Sequence, residues 1–314
     1  MLIPLHRFAL KAAALSEVLQ LVVSDSVASL DLRGRKVGRA GITALSHALS
    51  SNTALTALDL HDAAIHDDDV LVLSTALLEH GRCQSLDLGA NGLGISAARA
   101  LAPLFLLQPG DAHGNDFDEY GPPVRHVRLA GNAIDAAACS TLLSVGQQGA
   151  TVALESLSLA FNRLGERGGA ALGSAMGSMP VITMLSIHGC AIGPRGACAL
   201  ASTIAASSLV HLDLSDNGIG DTGAQGVAAN MPERLEELML GRNGIGAAGV
   251  SALADVLGRR RRVSLRLLSL HANRLRDDAI EPLAHCLVRG GCGGVVGWWD
   301  GGVGVGGVVV WWGR

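Results

Sequence analysis

The chain has 314 residues, of which 49% are hydrophobic but only 3% aromatic, and its formal net charge is −4. This composition predicts an aliphatic core in one large domain or two ordinary ones, and the weak negative charge gives no electrostatic reason to expect a nucleic-acid partner. The six cysteines form no CxxC pair, which favours a reducing compartment. We therefore expect a cytoplasmic protein, with a nuclear location as the alternative.

Residues 1–26 are predicted to form an N-terminal helical cap on the core. The segment begins MLIPLHRFALKAAALSEVLQ, and Arg7, Lys11 and Glu17 interrupt its apolar run. These charges make it a poor secretory signal peptide. A basic amphipathic targeting helix is the alternative interpretation of the segment.

Residues 27–289 contain a repeated unit in which LxxLxLxxN is followed by one residue and then Ile or Leu, as in LVHLDLSDNGI at residues 209–219. We call the ninth position of this unit the Asn slot. It recurs every 26 to 30 residues, with one interval of 41, at Arg35, Ala63, Asn91, Asn132, Asn162, Cys190, Asn217, Asn243 and Asn273. Alternation in the first half predicts a strand with one buried face, and apolar residues three or four apart in the second half predict a helix. Because one unit is too small to bury its own apolar face, nine stacked units predict an α/β right-handed solenoid with a parallel sheet on its concave face.

The Asn slot has a predicted structural role, because its side-chain amide can bond the backbone groups of the turn that follows each strand. Cys190 in this slot is therefore interpreted as structural rather than reactive. Arg35 and Ala63 cannot make the same bonds, so we expect the first two turns to be less well tied.

These repeats resemble those of leucine-rich-repeat proteins of the ribonuclease-inhibitor-like class, whose long repeats carry a full helix. The resemblance covers about residues 27–289, and similar repeats occur in Ran GTPase-activating proteins and in the sensor regions of NOD-like receptors. It implies a horseshoe-shaped, non-enzymatic scaffold that binds a protein partner through its concave face, without nucleic acid, membrane or cofactor. Two alternatives stay open: a GTPase-activating protein for a Ran-like small GTPase, and the sensor fragment of a NOD-like receptor with a longer repeat array.

The strand positions that flank the second and third leucines point away from the core, so they predict the partner-binding surface. The candidate residues are Asp31, Arg33, Asp59, His61, Asp87, His126, Arg128, His188, His211, Asp213, Glu237 and His271. Asp31, Asp59 and Asp87 should lie about 5 Å apart on adjacent strands. Their repulsion indicates either a basic partner at the N-terminal half of the face or solvated carboxylates. The smaller residues of the middle repeats, such as Ser156 and Ser158, would let a partner approach closely.

Two clusters of reactive residue types are interpreted as structural. His211, Asp213 and Ser215 are the residue types of a hydrolase triad, but Asp rather than His lies in the middle and no nucleophile elbow surrounds the serine, so no catalytic site is predicted. In HDAAIHDDD, at residues 61–69, Asp67 aligns with Asp221 and Asp277 just before a helix. Helix capping is therefore preferred to a metal site there.

The remaining segments depart from the repeat. The interval of 41 residues contains an insertion loop near residues 108–121, which is acidic but lacks EF-hand spacing. The four arginines at 259–262 suit a helix C-terminus or an anionic partner. Residues 290–314 form a tail rich in Gly, Trp and Val, which we expect to be disordered. Its GxGxxG match at 302–307 lacks an enclosing βαβ unit, so it predicts no nucleotide site.

Overall fold

The computed structural model describes residues 15–106, 124–147, 151–259, 264–275, 294–300 and 306–312. Within these ranges, short strands alternate with helices along the repeats. The repeat strands are β1 Ser29–Asp31, β2 Ala57–Asp59, β3 Ser85–Asp87, β4 His126–Arg128, β5 Ser156–Ser158, β6 Met184–Ser186, β7 His211–Asp213, β8 Glu237–Met239 and β9 Leu267–Ser269. The helices are α1 Leu15–Val23, α2 Gly38–Leu49, α3 Asp67–His80, α4 Ile95–Leu101, α5 Ala136–Gln147, α6 Gly165–Ala175, α7 Gly193–Ile204, α8 Gly220–Ala229 and α9 Ala247–Arg259.

The nine repeat strands form one sheet in chain order, and each strand is parallel to the next. The middle residue of each strand pairs with the middle residue of its neighbour, as Leu30 does with Leu58 and Leu58 with Leu86. A helix follows every one of the first eight strands and carries the chain back to the start of the next. This order confirms the predicted solenoid of strand–turn–helix units with a parallel sheet.

The core lies between the sheet and the helices and is built from the apolar positions of the repeat. In the seventh unit Leu209, Leu212, Leu214 and Ile219 are all fully buried. The helix then begins so close to this layer that a Cβ added to Gly223 would lie 2.6 Å from the Cβ of Ile219. The glycine is therefore needed for contact between the first helical turn and the core.

Each asparagine in the Asn slot ties its own repeat to the preceding one. Asn217 donates from Nδ2 to the carbonyl of Leu214 in its own repeat (2.9 Å) and to that of Ile187 in the preceding repeat (2.8 Å). Its Oδ1 accepts from the backbone N–H groups of Cys190 (3.1 Å) and Ile192 (3.3 Å), also in the preceding repeat. Asn91, Asn132 and Asn273 make the same four bonds. We call this series of slot side chains the amide ladder. It is offset by one repeat, because each asparagine bonds the turn of the repeat before its own.

The offset corrects one sequence-based prediction. The second turn was expected to be less well tied because Ala63 occupies its slot, but Asn91 of the following repeat accepts hydrogen bonds from the N–H groups of Ala63 (3.0 Å) and Ile65 (3.3 Å). The prediction is therefore wrong for that turn, since its tie comes from the repeat after it. At the first turn the Asn slot of the following repeat holds Ala63, which has no side-chain amide. A backbone hydrogen bond from the N–H of Val37 to the carbonyl of Ala63 (2.9 Å) connects the two turns instead.

Cys190 acts as a structural residue in the ladder. Its buried Sγ donates to the carbonyl of Leu159 in the preceding repeat (3.1 Å) and more weakly to that of His188 (3.6 Å). Burial raises the pKa of the Cys190 thiol to about 11, so it stays protonated at neutral pH. The structural interpretation of this cysteine is confirmed.

Asp67 and Asp221 are helix caps, as predicted, but each of them caps the helix of the following repeat. Asp67 Oδ1 accepts from the N–H of Gly94 at the start of α4 (2.8 Å). Asp221 Oδ1 accepts from the N–H groups of Gly246 (2.6 Å) and Gly249 (3.0 Å) at the start of α9. In the part of the chain that the structure describes, no group of three or more His, Cys, Asp or Glu side chains is arranged to hold a metal ion.

Helix α1 lies at the N-terminal end of the solenoid. Val22 is fully buried, and Asn52 Nδ2 donates to its carbonyl (2.6 Å). Residues 1–14 of the predicted cap, like the insertion loop near 108–121, Asp277 and the arginines at 260–262, lie outside the described residues. Among the helices that the structure describes, none combines the length and apolarity that a membrane crossing requires.

The tail contains two strands where disorder was expected. Strand β10, Gly294–Asp300, pairs antiparallel with β11, Gly306–Trp312, and β11 pairs antiparallel with β9. The sheet thus has eleven strands among the described residues, with β10 last. Valine and tryptophan favour strands, and an uncovered β9 would present unpaired backbone groups, so both factors favour this extension of the sheet.

Candidate protein-binding surface

The concave face consists of the first and third residues of each repeat strand and the residue two positions beyond. In β1 the central Leu30 is buried, whereas the side chain of Asp31 is 52% exposed. All twelve predicted surface residues lie at these positions. The exposed residues are held in fixed register because each strand is paired on a buried leucine or valine.

The N-terminal half of the face contains the predicted row of aspartates. Asp31 is paired with Asp59, and Asp59 with Asp87, on adjacent strands. Arg33 folds back over this row, so that one terminal guanidinium nitrogen lies 2.6 Å from Asp31 and its Nε lies 3.1 Å from Asp59. The chain thus supplies a cation of its own between the first two carboxylates.

The third aspartate of the row also has cationic neighbours. His61 Nδ1 lies 3.7 Å from Asp87, and a terminal nitrogen of Arg128 lies 3.9 Å from it. The His61 ring crosses the neighbouring strand at Gly89, where a Cβ would meet the ring. Glycine at this position therefore lets the imidazole lie across the sheet towards the carboxylate.

The ionisation of Asp59 reflects its crowded position. Burial raises the pKa of Asp59, and the charges of Asp87 and Asp31 add to the increase, while the His61 N–H and Arg33 oppose it. The hydrogen bonds that Arg33 donates to Asp31, and the charges of these carboxylates, raise the pKa of Arg33. The arginine therefore remains charged, and the net charge of the N-terminal half is small.

In the C-terminal half, histidines rather than arginines face the carboxylates. His188 Nδ1 lies 3.6 Å from Asp213, and His211 Nδ1 lies 3.0 Å from Glu237. Of the described residues, no arginine or lysine lies within salt-bridge distance of Asp213 or Glu237. The negative charge without an arginine partner therefore lies on β7 and β8, rather than in the aspartate row that the sequence drew attention to.

The suspected triad does not form a proton relay. Asp213 Oδ1 accepts from the backbone N–H of Ser215 (2.9 Å), and its Oδ2 faces His188. His211 turns instead to Glu237, and Ser215 is buried. Because a triad needs the histidine between the carboxylate and the serine hydroxyl, these three side chains do not form one.

The remaining predicted histidines are His126, in the fourth repeat, and His271, in the last repeat. His126 is exposed on β4. His271 Nδ1 lies 2.9 Å from the hydroxyl of Ser269, and its ring lies over Gly241 of the preceding repeat, whereas the ring of His61 lies over Gly89 of the following one. Neither histidine contacts a carboxylate in the part of the chain that the structure describes.

The sequence reasoning missed Phe161, which directly precedes the Asn slot of the fifth repeat. Its φ is +55°, the residue is 60% exposed, and its ring centroid lies 4.7 Å from that of His188. A positive φ is rare for a bulky residue. In every repeat the residue directly before the Asn slot has a positive φ. In three other repeats this residue is a glycine: Gly34, Gly131 and Gly189. A phenylalanine at such a turn position was the available signal.

The comparisons with known proteins agree with this architecture. A family model described as "Leucine Rich repeat" matches residues 154–173, 205–228 and 235–254. The ribonuclease inhibitors of pig (Sus scrofa) and mouse (Mus musculus) are 30% and 28% identical to the chain over 278 residues, which is 87% of this chain and 58% of each relative. The chain is a leucine-rich-repeat protein that is similar to ribonuclease inhibitors over most of its length.

This leucine-rich-repeat protein is also similar to a bovine (Bos taurus) protein named "NACHT, LRR and PYD domains-containing protein 5". The two are 27% identical over 275 residues, which cover 85% of this chain and 23% of the bovine protein. The chain spans less than two thirds of the length of the ribonuclease inhibitors that it matches. Such proteins are typically protein-binding scaffolds, and their binding sites are formed by the residues that vary on a shared fold.

Proposed function

We propose that this leucine-rich-repeat protein is a non-enzymatic scaffold that binds a protein partner through its concave face. The observation that carries the proposal is the fixed register of nine parallel strands, which present their exposed side chains as continuous rows. The buried amide ladder connects the turns beside these rows. A surface that is already ordered loses little conformational entropy when a partner docks.

The charge of the face favours a basic partner. The twelve candidate residues include five carboxylates and two arginines, which gives a net charge of −3 when the histidines are neutral. Because Arg33 and Arg128 lie among the N-terminal aspartates, the charge available to a partner is concentrated at Asp213 and Glu237. Charges of this kind contribute to association rate and specificity more than to affinity alone.

The test is a comparative capture from extract of the source cell. The Asp213→Asn, Glu237→Gln variant is compared with the wild type and with an Asp68→Asn, Glu79→Gln control, which removes two exposed carboxylates from α3. We expect a protein that is retained by the wild type and by the control but reduced on the concave variant. Identical captured proteins on all three would contradict the proposal.

Two purified probes separate the finer possibilities. A pancreatic-type ribonuclease tests the ligand class that the relatives' name suggests, with binding measured at low and high salt because a basic ligand should bind less tightly as salt rises. The Asp31→Asn, Asp59→Asn, Asp87→Asn variant tests the N-terminal row in the same assay. A Ran-like GTPase in a GTP-hydrolysis assay tests the alternative activity, and clear acceleration would contradict the non-enzymatic proposal.

A further inference from the structure

The middle of the concave face is an uncharged strip between two charged flanks. In one row of the sheet, Arg128, Ser158, Ser186 and Asp213 are consecutive neighbours on β4 to β7. In the row beside it, Ser156 is paired with Met184. Short hydroxyl side chains therefore form the floor of repeats five and six, and charged residues border them on either side.

Two exposed apolar side chains stand at opposite ends of this floor. Phe161 follows β5 and lies beside His188, which is two residues beyond the end of β6, whereas Met184 begins β6. Phe161 and Met184 are 60% and 43% exposed. At about 3.3 Å per strand residue, the floor between them is roughly 13 Å long, which is enough for one large apolar side chain to lie between them.

The conformation of Phe161 is fixed by its neighbours. A Cβ added to Gly189 would lie 2.8 Å from the Phe161 ring, and the Phe161 N–H donates to the carbonyl of His188 (2.6 Å). The ring is thus held against the adjacent repeat while most of its surface remains open to a ligand. Rigid, exposed aromatic residues at an uncharged centre with a polar rim are typical of the residues that dominate binding energy at protein interfaces.

Asp213 indicates where a positively charged group of a partner would bind. Its carboxylate accepts from the Ser215 N–H (2.9 Å) and the Ser186 hydroxyl (3.5 Å) and faces His188. None of these partners carries a permanent positive charge, and the carboxylate borders the floor at Ser186. A lysine or arginine that enters beside the floor would neutralise it.

We infer that this strip, formed by Ser156, Ser158, Ser186, Phe161 and Met184 and bordered by Asp213, is the centre of the interface. It receives a segment of the partner protein in which an aromatic residue lies next to a lysine or arginine. The aromatic side chain covers the serine floor between Phe161 and Met184, and the cation contacts Asp213. This inference rests on the proposed function and specifies which part of the concave face dominates binding.

The probe for this inference is a phage-displayed library of random 12-residue peptides, selected on the wild-type protein. Selected peptides should be enriched in an aromatic residue beside a basic one. Ser158→Trp, which fills the floor, and Phe161→Ala should each weaken the binding of these peptides by about tenfold or more, the scale of a dominant interface residue. Ser96→Trp and Leu71→Ala place the same kinds of change on exposed helix positions and should leave binding unchanged.

The cationic contact is tested by a double comparison. Asp213→Asn should weaken binding of a selected peptide but should have little effect once the basic residue of that peptide is replaced by Gln. Circular dichroism and thermal unfolding of every variant distinguish loss of a contact from loss of the fold. Equal effects of Asp213→Asn on both peptides would overturn the assignment of the cation to Asp213.

The outcomes separate this inference from the proposed function. If Ser158→Trp and Phe161→Ala bind as the wild type does, while the Asp31→Asn, Asp59→Asn, Asp87→Asn variant loses binding, the interface is centred elsewhere on the concave face and only the inference fails. If none of the concave variants changes binding, both fail. A selection that enriches no peptide would also overturn the inference, because a dominant centre should bind such a segment on its own.

Discussion

Replacing Asn217 with Ala tests the amide ladder at a position where its bonds are complete. The side chain of Asn217 is buried, and its loss leaves the N–H groups of Cys190 and Ile192 and the carbonyl of Ile187 without the partners described above. Asn217 Nδ2 also donates to the carbonyls of Leu214 and Ser215, but these keep second bonds, from Asn243 Nδ2 (2.9 Å) and from the Gly189 N–H (2.9 Å). Three buried backbone groups therefore lose their hydrogen bonds to a side chain.

A buried polar group without a partner costs about 1–3 kcal/mol, so the three together predict a loss of about 3 kcal/mol or more in the free energy of unfolding. The measurement is urea unfolding followed by circular dichroism. Asn230→Ala is the matched control, because Asn230 is half-buried at the end of α8 and its Nδ2 donates only to the Gly226 carbonyl (3.0 Å). We expect a loss of about 1 kcal/mol or less for the control.

Hydrogen exchange adds a second readout, since the groups that lose partners lie in the preceding repeat. In the Asn217→Ala variant, the amides of Cys190 and Ile192 should exchange faster, while that of Ile245 in the following repeat should keep its protection from Asn273. The reasoning is refuted if the variant is destabilised no more than Asn230→Ala, or if the loss of protection appears in the following repeat instead.

Three further predictions follow from contacts elsewhere in the solenoid. Gly169→Ala should lower the melting temperature, because its Cβ would lie 2.9 Å from the Cα of Gly196 on α7, whereas Gly177→Ala enters open space and should not. The Asp59→Asn variant should be more stable than the wild type at pH 7, as measured by urea unfolding. The pKa of Asp59 is raised in the folded protein, so ionisation of its carboxyl group destabilises the wild type above that pKa. The stability advantage of the variant should therefore disappear as the pH falls through the pKa of Asp59. An advantage that persists at low pH would contradict this cause. Burial raises the thiol pKa values of Cys83 and Cys139 to about 12. Both thiols should therefore resist alkylation at pH 8 in the native protein and react after unfolding, which peptide mass spectrometry would detect. Labelling of either cysteine in the native state would contradict their burial.

The sequence was sufficient to predict the solenoid because its information is periodic. Buried positions such as Leu212 and Leu214 recur with the Asn slot, so the strand, the turn and the face of each side chain follow from the spacing. The same spacing predicted that Asp31, Asp59 and Asp87 would be neighbours, as the strand register confirms. Periodicity therefore determines which residues share a face.

The contacts between repeats could not be predicted in this way, because they depend on side-chain rotamers and on the displacement of one repeat relative to the next. Arg33 folds back onto Asp31 and Asp59, and Asp221 caps α9 rather than the helix of its own repeat. Phe161 was missed because it lies outside the strand positions on which the surface prediction rested, in a turn where only the backbone conformation reveals its exposure.

The offset of the amide ladder gives the solenoid a polarity under truncation. Apart from the turns of the first and fifth repeats, which precede Ala63 and Cys190, each turn is completed by the asparagine of the next repeat, as the turn around Cys190 is by Asn217. Removing whole repeats from the N-terminal side would leave each remaining turn with the amide it already has, whereas removing a repeat that carries the asparagine would take the amide from the new last turn. Trimming from the two directions is therefore not equivalent, and a shortened version of this protein would need its boundary placed after the asparagine that follows the last repeat to be kept.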